Sequence, residues 1–146
     1  MGLSEEAVGS GPDYLYGSLA EDHFRVIEIN SLDPIISLQL VDYADDSPPK
    51  YFALSYAWGA QPNTEQIICN GKVLNVSPHL HEGLRSIGAA SPGTRLWIDA
   101  ICINQTSNAE KATQVAKMHH IYRKAQGVYV WLGKEEYDSD RVMDAI

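Results

Sequence analysis

Asp99 stands out first on chemical grounds. It is the lone polar side chain in Leu96–Ile103 (LWIDAICI), and a carboxylate among apolar neighbours is costly unless paired or hydrogen-bonded. Two roles are open to it: a satisfied core acid gripping backbone amides or a tyrosine hydroxyl, or a ligand-facing group of perturbed pKa. Asn104 and Gln105 close the same run; they cap the next helix or hydrogen-bond a ligand. Ser107-Asn-Ala-Glu110 spells a capping box, in which the glutamate reaches back to the N-cap amide. Trp58, before Gly59, is either core or a stacking platform at the mouth of a crevice. Ser55 has no base near it in sequence, so as a nucleophile it lacks activation. His119 and His120 are adjacent in a helical stretch, so their rings diverge by about 100° and cannot share one metal. With His79 and His81 similarly misplaced and cysteines only at 69 and 102, no zinc site is expected. Neither common glycine-rich phosphate loop occurs, and no bound cofactor is expected.

These residues need a scaffold, and the apolar pattern supplies one. Phe24–Ile29 and Ile36–Leu40 alternate apolar and polar side chains, as half-exposed strands do. After Ser47-Pro48-Pro49 the pattern changes. Phe52, Leu54, Tyr56 and Trp58 share one strand face, and Ala53, Ser55 and Ala57 the other. Gln66–Cys69 and Val73–Val76, joined by Asn70-Gly71, form a hairpin signal. Ser77-Pro78 starts a helix with serine as cap and proline at the first position. Leu96–Ile103 and Val128–Leu132 read as strands covered on both faces, hence parallel. Ser107–Ala125 reads as a helix with Ala112, Val115, Met118, Tyr122 and Ala125 inward, and a further helix starts at Asp138. The expected architecture is α/β, with mainly parallel central strands flanked by helices, an N-terminal β extension and a β-hairpin insertion. Residues 1–22 are expected to be a mobile or loosely draped arm, and 23–146 a single domain.

The charge is uneven. Net charge is −8, with ten acids and two bases in the first 50 residues and nine of each thereafter. A nucleic-acid binder needs a basic stripe to displace counterions, so none is expected as partner. No stretch nears the roughly 20 apolar residues of a membrane span. The acidic start is no signal peptide, and two cysteines make no disulfide framework. A soluble cytoplasmic protein without membrane partners is expected.

Three linked motifs add a resemblance. Tyr51-Phe-Ala-Leu-Ser-Tyr-Ala-Trp-Gly59, Leu96-Trp-Ile-Asp-Ala-Ile-Cys-Ile-Asn-Gln105, and Glu110-Lys111 with Gln114-Val115, Met118, Ile121-Tyr122, Ala125 and Val130-Trp-Leu-Gly133 resemble the HET (heterokaryon incompatibility) domain of filamentous fungi. The resemblance covers residues 51–146 and implies non-self recognition and regulated cell death. It also implies likeness to Toll/interleukin receptor (TIR) domains, hence a TIR/flavodoxin-like sheet and NAD as a possible substrate. It further implies self-association and a sensor or NLR-type partner. Breaking the nicotinamide–ribose bond passes through an oxocarbenium-like state, which one carboxylate stabilises while an aromatic plane holds the base. On this reading Glu110, matching the motif, and Asp99 are the candidate catalytic acids. Ser55, Tyr56, Trp58, Gly59, Asn104 and Gln105 line the substrate crevice at the carboxyl ends of the strands. The TIR order instead points to Glu135 and Glu136, in a charged turn that also reads as solvated surface. The alternative is a non-catalytic TIR-like signalling and assembly module.

Overall fold

In a computed structural model, the structure describes residues 13–56, 61–131 and 142–144, with the backbone alone for Tyr56 and 142–144. It is a mixed α/β fold. One sheet of eight strands comprises β1 (His23–Ser31), β2 (Ser37–Ala44), β3 (Phe52–Tyr56), β4 (Glu65–Cys69), β5 (Lys72–Val76), β6 (Arg95–Trp97), β7 (Val128–Trp131) and β8 (Val142–Asp144). Their order is β5-β4-β2-β1-β6-β3-β7-β8. Four helices complete the described residues: α1 (Pro78–Ala90), α2 (Asp99–Cys102), α3 (Asn108–Ala116) and α4 (Met118–Lys124).

The three motif strands run side by side in the same direction, β6 and β7 flanking β3. Parallel neighbours need long crossovers, and here helices supply them on opposite faces of the sheet. Adjacent parallel residues share a face, so Trp97 lies beside Ala53 and Trp131 beside Tyr56, on opposite sides. Tyr122 of α4 meets the Trp97 ring edge-on at 5.5 Å. On the other face Gly83 of α1 lies so close to Trp131 that an added Cβ would sit 3.1 Å from the indole. Beyond this trio the sheet departs from the expectation of mainly parallel strands. Four of its seven pairings are antiparallel: β1–β2, β1–β6, β4–β5 and β7–β8. Connections such as the two-residue Asn70-Gly71 turn can only join antiparallel strands, and both its residues have positive φ (52° and 81°), as expected of that pair. Asn70 also extends the sheet: its side chain accepts from Leu40 N and donates to Leu40 O.

Four further expectations are corrected. Leu96–Ile103 is not one strand; β6 ends at Trp97 and the chain turns into α2, closed by Ile101 N and Cys102 N donating to Ile98 O. A helical turn that buries Ile101 and Cys102 carries nearly the same apolar pattern as a buried strand. The helix read over Ser107–Ala125 breaks at Lys117 (φ −108°, ψ 10°), and Val115 is exposed while Gln114 and Ile121 face inward. Phe24–Ile27 is buried on both faces, because β1 lies inside the sheet with β2 and β6 as neighbours. Val142–Asp144 is a strand paired with β7, not part of a helix; the flanking residues of that reading lie outside the described ones.

The arm expectation applies here to residues 13–22 alone. They are draped across the domain: Asp13 bridges to Val73, Tyr14 N donates to Val73 O, and Tyr16 Oη donates to Ile101 O at 2.5 Å.

Candidate functional site

Asp99 and Ser55 lie at the carboxyl ends of β6 and β3, each two residues past the last register pair, Ala53 with Trp97. Ser55 is exposed and Asp99 half-buried at the start of the α2 turn. Burial raises the Asp99 pKa above its ordinary 3.8, against the pull of hydrogen bonds from the Ala100 and Asp99 backbone amides. Its charge in turn adds to the burial that raises the Tyr122 hydroxyl. Gln105 Nε2 donates to Asp99 O at 2.8 Å and to Ile103 O at 3.2 Å, so Gln105 closes the α2 turn.

Asn104 and Glu110 meet at a second centre. Glu110 Oε2 accepts from Asn104 N at 2.7 Å, and Asn104 Oδ1 accepts from Thr106 N and Thr106 Oγ1. Glu110 is further held by Arg25 of β1 through both carboxylate oxygens, at 2.5 and 3.1 Å. This fork-to-fork geometry is the strong form of a charge-assisted bond. The side chains are only 6% and 11% exposed. Arg25 also donates to Cys102 O and Gly17 O, and the Tyr16 ring lies 5.0 Å from its guanidinium. Burial alone would raise the Glu110 pKa, but the hydrogen bond and charge of Arg25 and the Asn104 amide outweigh it, so it lies below its ordinary 4.5. The capping box is half formed: Ser107 Oγ accepts from Glu110 N at 3.2 Å, while the glutamate reaches to Asn104 rather than back to Ser107.

The predicted crevice residues therefore separate into two groups. Glu110 and Asn104 belong to an internal clamp with Arg25; Asp99, Gln105 and Ser55 lie at the edge of the parallel trio. Trp58, Gly59, Glu135 and Glu136 lie outside the described residues, as does the side chain of Tyr56. Sequence reasoning missed Arg25, which alternation along β1 had placed outward. Its one signal was a single arginine amid the acids of the first 50 residues. It also missed Gln114, 1% exposed, whose Nε2 donates to His23 O at 3.0 Å, and Lys117, which bonds Glu21 O, His23 O and Asp45. Both cysteines are free and fully buried, and burial pushes each thiol up to about 12. Among the described residues no group of three or more His, Cys, Asp or Glu is placed to hold a metal. Nor is any helix there long and apolar enough to cross a membrane.

The family model "Heterokaryon incompatibility protein (HET)" matches residues 51–146. The chain belongs to the HET family. It is 37% identical over 144 residues to "Heterokaryon incompatibility protein 6, OR allele" of Neurospora crassa, an alignment covering 78% of this chain. The chain spans only 21% of that relative's length. No solved structure matches.

Seen on the fold, many of the described HET-motif residues are interior, while Ser55, Gln105 and Val115 are exposed. Tyr51 is 1% exposed and donates to Ile121 O at 2.5 Å. Trp97, Ile101, Cys102 and Trp131 are fully buried, and Gln114 and Glu110 tie α3 back to β1.

Proposed function

We propose that this HET domain serves fungal non-self recognition leading to regulated cell death, and that it signals by assembling with further copies of itself or with a sensor of the NLR type. The observation that carries this reading is the clamp: the carboxylate of the motif, Glu110, is saturated by Arg25 and Asn104 inside the domain. The motif then marks the residues that hold the fold, and the surface is left for recognition. The relative's name supports the biological context. The parallel trio with helices on opposite faces supports a TIR-like arrangement of that part of the sheet. The test is controlled expression in a filamentous fungus, scoring cell death, beside the mass of the purified domain as concentration rises. Death and assembly that are lost together in surface variants uphold the reading. Death that persists from a domain that stays monomeric at every concentration, in a host lacking NLR-type sensors, overturns it.

One observation favours a second reading, cleavage of NAD or a related nucleotide in the assembled state. Asp99 is a half-buried carboxylate at the carboxyl end of a parallel strand, where α/β sheets place ligand sites. Its role there would be to stabilise the ribosyl cation as nicotinamide leaves, with water completing the hydrolysis. Purified protein at high concentration, incubated with NAD, is assayed for nicotinamide. Release that is lost in Asp99→Asn with folding intact supports this reading, and no release at any concentration overturns it.

A further inference from the structure

Surface charge is sorted at one place on the molecule. The start of β1 and the end of β2 lie side by side, Asp45 N donating to Asp22 O at 2.8 Å. Glu21, Asp22 and Asp46 therefore share one exposed corner. The segment of α4 lies directly beside it. Lys117, just before the helix, donates to Glu21 O and Asp45 Oδ2, and Lys124 Nζ donates to Asp45 O. Helical spacing sets His120, Arg123 and Lys124 as exposed neighbours, at i, i+3 and i+4. Between the acids and the bases is a hollow of about 210 Å³, in whose wall the Lys117–Asp45 pair, at 2.9 Å, balances itself. None of the six exposed side chains is in an ion pair among the described residues. The patch is thus acidic on one side, basic on the other and neutral in the middle.

Such a patch selects its occupant by the order of its charges. An all-acidic or all-basic partner would meet like charge over half of it. A second copy, rotated by a half-turn about an axis through the hollow, brings its bases onto these acids and its acids onto these bases. That is the self-complementary form of a two-fold contact, in which residue i meets j and j meets i. We propose that this face is the two-fold interface between two copies of the chain, with Arg123 and Lys124 of each set against Asp22 and Asp46 of the other. The net charge of −8 opposes association of copies through surfaces of like sign, so a contact needs such local alternation. This interface rests on the assembly reading above and gives it a surface.

The test is sedimentation of the purified chain over a range of concentrations, with charge reversed on each half in turn. The parent should form a dimer as concentration rises. Arg123→Glu with Lys124→Glu should weaken it by about tenfold, because both symmetric contacts become repulsive. Asp22→Lys with Asp46→Lys should do the same. An equimolar mixture of the two variants should regain the dimer, since both contacts again join opposite charges. All four side chains are exposed, and circular dichroism checks that each variant keeps its fold. The milder Lys124→Gln and Asp46→Asn serve where a reversal misfolds. Each should weaken the dimer by about threefold, and mixing them should restore nothing. A parent that stays monomeric at every concentration overturns this interface and leaves the sensor as partner in the assembly reading. Assembly unchanged by the substitutions, or a mixture of reversals no tighter than its components, overturns the interface while self-association stands.

Discussion

Two acids eleven residues apart, Asp99 and Glu110, meet opposite environments. Glu110 is the deeper in contacts, its carboxylate held by a guanidinium and a backbone amide, and its pKa is lowered. Asp99 has only local amides for partners, and burial raises its pKa. Burial disfavours charge at both sites. The presence of a buried cation from a distant strand decides the sign at Glu110. A carboxylate placed in apolar surroundings therefore says little about chemistry until its long-range partner is known.

The largest effect should come from breaking the clamp. Arg25→Ala or Glu110→Ala leaves one buried charge unpaired, and chemical denaturation should show a loss of about 3–5 kcal/mol. The double variant should recover part of that loss, measuring the coupling between the two. Acid should act on the same pair. The folded-state pKa of Glu110 is depressed, so its contribution is full above the ordinary 4.5 and disappears as pH falls through the folded value. An acid titration of stability should show this limb in the parent and lack it in Glu110→Gln.

Cysteine labelling offers a local view. With both thiols buried and pushed up to about 12, the native protein should resist alkylation at pH 8. Arg25 donates to Cys102 O, so Arg25→Ala should speed labelling of Cys102 more than of Cys69, read by peptide mass. The smallest effect belongs to Asp99. Its raised pKa means that the neutral form suits the fold, and stability from that site is lost as pH rises through the folded value. Asp99→Asn, which keeps an acceptor for the local amides, should raise stability by at most about 1 kcal/mol at neutral pH. A loss comparable to that of Glu110→Ala would erase the contrast between the two acids.

Much of the local architecture was legible in the residues. The Asn70-Gly71 hairpin, the Ser77-Pro78 helix start and the direction of β3, β6 and β7 follow from turn chemistry, capping and apolar runs. The site was less legible. Asp99, read inside an apolar strand, instead starts the helical turn beyond the end of β6 and is half-buried, and the capping-box reading of Glu110 caught only the Ser107 half. Its main partner, Arg25, lies 85 residues away in sequence, beyond the reach of any local pattern.

What the chain by itself determined is whatever depends on neighbours in sequence: turn conformations needing positive φ, helix starts, and runs too apolar to be left in water. Tertiary structure alone decided where those runs turn, since the apolar run through Ile98, Ile101, Cys102 and Ile103 is compatible with a buried strand and with the helical turn it forms. It also decided which strand lies inside the sheet and which acid receives a cation. Burial depends on which distant surfaces meet, and the strength of a charge depends on what remains between it and water once they have met.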